Sequence, residues 1–322
     1  DGIRDTRIGL VGSEMCIRDR LYEAFKGQLH HIIDLKIRVN NTIERMYAKY
    51  APAPFLSLVI RDCIANGKDY YNGGPRYNTN YIQCCGVGTV TDSLSAIKKH
   101  VFEEKNLPME QLLTALKNNF KEQESLRLRL ANKTPFYGND NDFADNIMQR
   151  VYGSLFEAID GKPNTKNSSY HLNMLSTTCH IYFGKKLGAS ANGRLATLPI
   201  SDGTSPSHGA DRNGPTAVIK SLGKMDQVKS GGTLLNQRFL PDVLAGEAGI
   251  ENIAHLIRAY FKLNGHHIQF NVVDSQTLRK AQNAPDEYRD LLVRVAGYSD
   301  YFVDLDQYHQ EEIIARTEQE SF

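Results

Sequence analysis

The sequence predicts an α/β fold for a chain of 322 residues. Segments with apolar side chains at helical spacing alternate with short apolar runs that are typical of buried strands. Turns rich in glycine and proline separate these segments. Alternation of this kind predicts largely parallel strands covered by helices. A boundary is expected in the Gly/Pro/Ser-rich passage near 201–209, which divides a larger N-terminal part from a C-terminal domain.

The N-terminal part is predicted to be mainly helical. Its first helix covers 21–49, where apolar residues recur at helical spacing until Pro52 and Pro54 end the pattern. A buried strand with a turn is predicted at 81–90, and a further strand at 172–183. Further helices are expected at 55–65, 92–102, 109–130 and 142–159.

The C-terminal part is predicted to alternate more regularly. Two strand-forming runs, 291–293 and 301–303, flank Gly297. This glycine is therefore expected in a tight loop whose tip needs a residue without a Cβ. The other expected elements are helices at 216–222, 250–263, 275–292 and 307–317, and strands at 233–239 and 267–273.

Residues 1–20, DGIRDTRIGLVGSEMCIRDR, are interpreted as a non-native leader. They show neither helical nor strand periodicity, and no apolar stretch follows the first arginines as a signal peptide would require. The segment resembles a translated sequencing adapter. On this interpretation the native reading frame starts near Leu21 and the chain is a fragment.

Composition indicates an ordinary globular protein, with 41% hydrophobic residues and a formal net charge of +1. A nearly neutral chain offers no electrostatic signature of nucleic-acid binding. No apolar run reaches the roughly 20 residues that a membrane span needs. The cysteines outside the leader lack the spacing of a zinc site, so no metal ligand is predicted, and free thiols favour a reducing cytoplasm; they are Cys63, Cys84, Cys85 and Cys179.

Three segments resemble one known family. RVAGYSDYF at 294–302 resembles the C-terminal signature of glycyl radical enzymes, the pyruvate formate-lyase-like superfamily. NGGPRYNTNYIQCCGVGTVTDSLSAIKKHVF at 72–102 is similar to a segment of their lyase domain, and 183–226 is similar to the passage that joins the two domains. The C-terminal residues look closer to the hydroxyproline-type dehydratases than to the pyruvate formate-lyases.

The resemblance implies a fold and a domain division. The family has a ten-stranded α/β barrel, of which this chain would supply the second half-barrel and the C-terminal glycine radical domain. The expected division is 1–20 as the leader, 21–200 as the C-terminal part of the lyase domain, and 201–322 as the glycine radical domain.

The resemblance also implies a chemistry, in which Gly297 stores a radical on Cα. A radical S-adenosylmethionine activating enzyme with a [4Fe–4S] cluster would install that radical, and no cofactor would stay bound. A cysteine thiyl radical would then remove hydrogen from a small hydroxylated substrate such as trans-4-hydroxyproline, and water would leave. The family places this cysteine and its glutamate base in a GCVE-type motif, which is absent here. The chain alone is therefore expected to be inactive.

Other functions stay open at this point. Within the family, a formate acetyltransferase-type or a glycerol or diol dehydratase-type lyase is possible, as is a homodimer. A second class is a non-catalytic subunit that carries the radical for a damaged partner, although the long segment before residue 200 argues against it. A third is a structural α/β protein in which RVAGY is coincidental.

The remaining polar patterns are interpreted as structural. A lone GxG is weak evidence for a phosphate loop, and neighbouring histidines on a strand point to opposite faces, so that one of them is expected to be a buried core residue. Sequence neighbours rarely build a catalytic triad. The patterns are Gly86-Val87-Gly88, His266-His267, Ser207-His208 with Asp211, Cys84-Cys85, and Arg294 with Tyr298.

Overall fold

The computed structural model describes the backbone of residues 6–322 and the side chains of residues 19–322. The proposed leader at 1–20 lies mostly outside the described side chains, and it stays a prediction. The chain divides into two compact units, Asp1–Ile82 with Gly153–Leu172, and Gln83–Tyr152 with Asn173–Phe322. The boundary predicted between 200 and 201 likewise stays a prediction.

The first unit is built on a long helix. Tyr22 on this helix shares a hydrogen bond with Ser154, with oxygen atoms 3.0 Å apart. Glu44 lies 3.2 Å from the Lys166 ammonium and accepts a hydrogen bond from Thr165. The elements are α1 (Thr6–Tyr50), α2 (Pro54–Leu58), α3 (Arg61–Asn66) and the paired strands β1 (Asn80–Gln83) and β2 (Tyr170–Asn173).

The second unit contains a small parallel sheet and most of the helices. Its strands are β3 (Leu235–Phe239), β4 (Ile268–Val272) and β7 (Glu318–Gln319). Their order is β4-β3-β7, with Leu235 opposite Ile268 and Arg238 opposite Glu318. The helices are α4 (Val87–Ala96), which continues as a π-helix over Ile97–Glu103, then α5 (Met109–Lys117), α6 (Glu124–Lys133), α8 (Cys179–Lys186), α9 (Gly214–Gly223), α10 (Gly246–Lys262), α11 (Ser275–Asn283) and α12 (Gln307–Ala315). Helix α7 (Asp142–Ile159) crosses from this unit into the first.

Helices and parallel strands confirm the predicted α/β class, while two predicted elements are wrong. The helix expected at 109–130 is interrupted at 118–123, where Asn119, Phe120 and Glu122 have positive φ angles. The Phe120 side chain is buried in the core, which offsets the cost of that backbone conformation. The strand expected at 172–183 ends at Asn173 and is followed by helix α8.

Four other expectations need smaller corrections. The helix expected at 275–292 ends at Asn283. The helix expected at 55–65 is split into α2 and α3. The helix expected at 92–102 begins earlier, at Val87. Neither histidine of the 266–267 pair is buried, because His266 is exposed and His267 is partly buried.

Candidate functional site

The hairpin at 292–301 presents Gly297 at its tip. Strands β5 (Leu292–Arg294) and β6 (Ser299–Tyr301) are antiparallel, and Arg294 lies opposite Ser299. The turn is closed by a hydrogen bond from the Val295 N–H to the Tyr298 carbonyl at 2.9 Å. Gly297 has a φ of +81° and is exposed. Only glycine adopts this backbone conformation readily.

Lack of space does not restrict residue 297 to glycine. A Cβ built on Gly297 would have no described atom within 4 Å. The hairpin is anchored by its other face, because the side chains of Val293 and Val295 are buried against a cluster that includes Leu278, Phe302 and Ile313. Buried apolar anchors thus hold an open tip.

Two amide side chains of β4 pair with the hairpin backbone. Alternation along a strand places Gln269 and Asn271 on the same face. Asn271 accepts from the Arg294 N–H at 2.7 Å and donates to the Arg294 carbonyl at 2.8 Å. Gln269 accepts from the Gly297 N–H at 3.1 Å and donates to the Val295 carbonyl at 3.3 Å. The two side-chain amides therefore bind the hairpin backbone as the peptide groups of a neighbouring strand would.

A buried arginine directly after helix α12 holds the same hairpin. Arg316 donates to the carbonyl oxygens of Arg294 at 3.0 Å and Val295 at 2.8 Å. It also donates to both carboxylate oxygens of Glu312, from Nε at 3.0 Å and Nη2 at 2.8 Å. Both side chains are buried. Paired geometry of this kind satisfies the guanidinium and orients it.

Two histidines complete the surroundings of Glu312. His208 Nε2 lies 3.0 Å from Glu312 Oε1, within hydrogen-bond geometry. His180 Nε2 lies 3.3 Å from the same oxygen, an ion-pair distance without hydrogen-bond geometry. Burial alone would raise the pKa of Glu312, but Arg316 and the histidines hold that pKa well below its ordinary value. The pKa of Arg316 is raised, since the effect of Glu312 exceeds that of burial.

The same cluster contains atoms that could be metal ligands. His180, Asp202 and Glu312 each offer one ligand atom, and these atoms lie within 4.8 Å of one another. A cation there would compete with the guanidinium of Arg316, which already neutralises Glu312. The geometry therefore fits an ion-pair network better than a metal centre.

Asp202 also begins a hydrogen-bond chain that ends at the glycine. Asn236 on β3 donates its amide to Asp202 and accepts from the amide of Gln269. Gln269 in turn accepts from the N–H of Gly297. Asp202, Gln269 and Arg316 are all buried, so the open glycine rests on a buried polar network.

Two other sequence patterns have structural surroundings among the described residues. Asp211 accepts from Thr317 and Gln319, and His208 pairs with Glu312, so Ser207, His208 and Asp211 form no triad. Burial raises the pKa of Cys84 and of Cys85 to about 12, which keeps both thiols protonated.

The sequence analysis proposed Gly297 as the site and did not identify the residues that hold it. Gln269 and Asn271 lie in the run IQFNV, where polar residues alternate with apolar ones. A buried strand with two amides on one face was a signal that could have been used. Glu312 and Arg316 are four residues apart, a spacing that usually indicates an exposed helical ion pair.

Comparison with protein families and known proteins gives consistent matches. The family model described as pyruvate formate lyase-like matches residues 8–184, and the glycine radical model matches residues 200–303. The trans-4-hydroxy-L-proline dehydratase of Clostridioides difficile is 55% identical over 301 residues, which cover 94% of this chain and 38% of that protein. The isethionate sulfite-lyase of Bilophila wadsworthia is 45% identical over 74% of this chain and 29% of its own length.

Solved structures give the same result. The hydroxyproline dehydratase of Clostridioides difficile, with trans-4-hydroxy-L-proline bound, has a TM-score of 0.92, with 94% of this chain and 38% of that chain covered. The B12-independent glycerol dehydratase of Clostridium butyricum has a TM-score of 0.90 at 39% identity, with 94% and 38% covered. The chain thus spans about 38% of the length of these relatives. No helix among the described residues is long and apolar enough to cross a membrane.

Proposed function

This chain belongs to the pyruvate formate lyase-like family of glycyl radical enzymes, and we propose that Gly297 is the residue that carries the radical. The observation behind this proposal is the position of Gly297 at an exposed hairpin tip inside the segment that matches the glycine radical model. It has no side chain, a positive φ and a backbone held by buried groups.

The radical would form by loss of one hydrogen atom from Cα. A deoxyadenosyl radical, generated by a radical S-adenosylmethionine activating enzyme, takes that atom and becomes deoxyadenosine. The unpaired electron left on Cα is shared with the adjoining amide nitrogen and carbonyl. An exposed tip suits this step, because another protein must bring its reactive group to Cα. Activation would therefore need this partner and no bound cofactor in the chain.

The complete reaction proposed is elimination of water from a small hydroxylated substrate such as trans-4-hydroxyproline. Support comes from the 55% identity to the trans-4-hydroxy-L-proline dehydratase. A cysteine thiyl radical takes a hydrogen atom from a substrate C–H bond, hydroxide leaves with a proton as water, and the thiol returns the hydrogen atom to the product radical. The chain contains no GCVE-type sequence, so we propose that this cysteine and its glutamate base come from another segment.

We place this chemistry in a reducing cytoplasm, as the free thiols favour.

A first experiment tests the radical. The purified chain is activated without oxygen by the activating enzyme of a hydroxyproline dehydratase, and electron paramagnetic resonance is recorded. A glycyl doublet is expected, and air should then cleave the backbone at residue 297, as peptide mass spectrometry would detect. Absence of both signals would reject Gly297 as the radical site.

A second experiment tests the substrate class. The activated chain is combined with a polypeptide that supplies the part of the Clostridioides difficile relative that this chain does not cover. Dehydration of trans-4-hydroxy-L-proline, without turnover of glycerol or isethionate, is expected. Preference for glycerol would support the diol dehydratase alternative. Recovery of activity only with an oxygen-damaged, full-length enzyme would support the repair-subunit alternative.

A further inference from the structure

We infer that Gln269 is a positioning residue for the radical, because its side-chain amide holds the N–H of Gly297. This inference rests on the proposed function of Gly297. Gln269 Oε1 lies 3.1 Å from the Gly297 nitrogen. No other described side chain is hydrogen bonded to the N–H of this glycine.

The orientation of the Gln269 amide is fixed by its neighbours. The Gly297 N–H can only donate, and so can the Nε group of Arg294, which lies 3.2 Å from the same Oε1 atom. The Val295 carbonyl can only accept, and it lies 3.3 Å from Nε2. Reversing the amide would place a donor against each of the two donors and an oxygen against the carbonyl. The oxygen therefore faces the glycine.

Further hydrogen bonds fix the Gln269 side chain that binds Gly297. Asn236 accepts from Gln269 Nε2 and donates to the carboxylate of Asp202. Consecutive hydrogen bonds in a buried setting polarise one another. The acceptor oxygen presented to Gly297 is therefore part of a rigid buried network, whereas Cα of the glycine faces open space.

The position of this bond matters for the radical itself. Spin on Cα is shared with the amide nitrogen, so an acceptor on that N–H affects the spin distribution and the rotation about N–Cα. By contrast, the contact to the Gly297 carbonyl is long, at 3.5 Å from Arg294 Nη2. Gln269 thus holds the amide side of the glycine and leaves its carbonyl side loosely held.

Three variants separate this role from a general effect on stability. Gln269→Met removes the acceptor with little change in length. Gln269→Glu keeps an acceptor oxygen and, in its protonated form, a donor that can replace Nε2. Gln237→Met is the matched control, since Gln237 is a buried glutamine on β3 whose two amide atoms have no hydrogen-bond partner among the described residues. It does not contact the hairpin through a hydrogen bond.

The first measurement is amide hydrogen exchange at Gly297 in the full chain before activation. Gln269→Met should exchange about tenfold faster than the parent, the factor expected for one ordinary hydrogen bond. Gln269→Glu and Gln237→Met should retain the parent rate. Equal rates in all four proteins would overturn the inference without touching the proposed function.

The second measurement is electron paramagnetic resonance after activation. Gln269→Met should lower the radical yield by about tenfold and change the hyperfine coupling of the exchangeable amide proton, which is identified by comparison in D2O. Gln269→Glu should restore the yield. A parent-like spectrum and yield in Gln269→Met would overturn the inference. If the parent itself gave no radical, the proposed function would fail, and the positioning role would fail with it, although the exchange result would still describe the bond.

Discussion

Arg316 Nη2 lies 2.8 Å from the carbonyl oxygen of Val295, two residues before the candidate radical glycine. The same guanidinium is neutralised by the buried carboxylate of Glu312. A charged donor that is already paired can hold a neutral carbonyl without leaving an uncompensated buried charge. Arg316, which follows the last residue of helix α12, therefore adds a charged contact to the apolar packing that holds the hairpin.

Gly297→Ala should abolish the radical and destabilise the chain modestly. The φ of +81° costs a residue with a Cβ about 1–2 kcal/mol, while the methyl group would meet open space. Gly246→Ala is the matched control, because Gly246 has a φ of +69° and equally open surroundings. Urea unfolding should show similar losses in both variants, and only Gly246→Ala should keep the doublet. A doublet in Gly297→Ala would reject the site.

Glu312→Gln should destabilise the chain by about 3–5 kcal/mol, the usual effect of leaving one partner of a buried ion pair unpaired. Glu311→Gln is the control, since Glu311 pairs with Arg279 and both side chains are at least 41% exposed. Glu311→Gln should lower the free energy of unfolding by less than about 1 kcal/mol. Denaturant midpoints measured at neutral pH test the contrast. Similar midpoints for both variants would show that the buried pair contributes no more than the exposed one.

Asp92→Asn should reduce the pH dependence of stability. Burial raises the pKa of Asp92 from 3.8 to about 7. Between these values the unfolded chain is ionised and the folded chain is protonated, so stability falls as pH rises, by up to about 1.4 kcal/mol per pH unit. Above about pH 7 this contribution stops changing. Asp211, whose pKa is raised to about 6, acts in the same direction, so part of the slope should remain.

The measurement for Asp92 is urea unfolding at several pH values between the two limits. The variant should show a shallower slope than the parent. Asp242→Asn changes an exposed carboxylate and should keep the parent slope. A parent-like slope in Asp92→Asn would show that Asp92 is ionised in the folded chain throughout this range.

Gly203→Ala should destabilise the chain by about 1–3 kcal/mol through overpacking. A Cβ on Gly203 would lie 2.6 Å from the Leu234 carbonyl oxygen and 2.8 Å from that of Met174. Gly188 is the comparison, because it is exposed and a Cβ there has no described atom within 4 Å. Thermal unfolding of both alanine variants distinguishes them, and an unchanged midpoint for Gly203→Ala would mean that the backbone at Met174 and Leu234 moves apart freely.

Local patterns predicted the elements whose signals lie within a few residues. Helix α7 has the predicted bounds, Asp142–Ile159, because its apolar period and acidic first turn agree. The interruption at 118–123 could not be predicted in this way, since Phe120 adopts a positive φ only because the core accepts its side chain. Tertiary packing determines the backbone conformation at 118–123, and the local sequence does not indicate it.

In the candidate site, too, only the part with a local sequence signal was predictable. Gly297 was proposed from a contiguous signature of nine residues, RVAGYSDYF. Its supports come from 25–30 positions upstream and about 20 downstream, through contacts such as Gln269 to Gly297 and Arg316 to Val295. A single sequence does not show which distant side chains converge. The α/β class was therefore predictable, while the hydrogen-bond network behind the glycine required the structure.

The order of these supports along the chain has a consequence for biosynthesis. Strands β3 and β4 leave the ribosome before the hairpin, so the amides of Gln269 and Asn271 are ready when Gly297 emerges. Arg316 and strand β7 follow only afterwards. Until Arg316 emerges from the ribosome, the nascent hairpin can form its amide contacts but lacks the guanidinium. The contacts from Arg316 are thus the last of these supports to form.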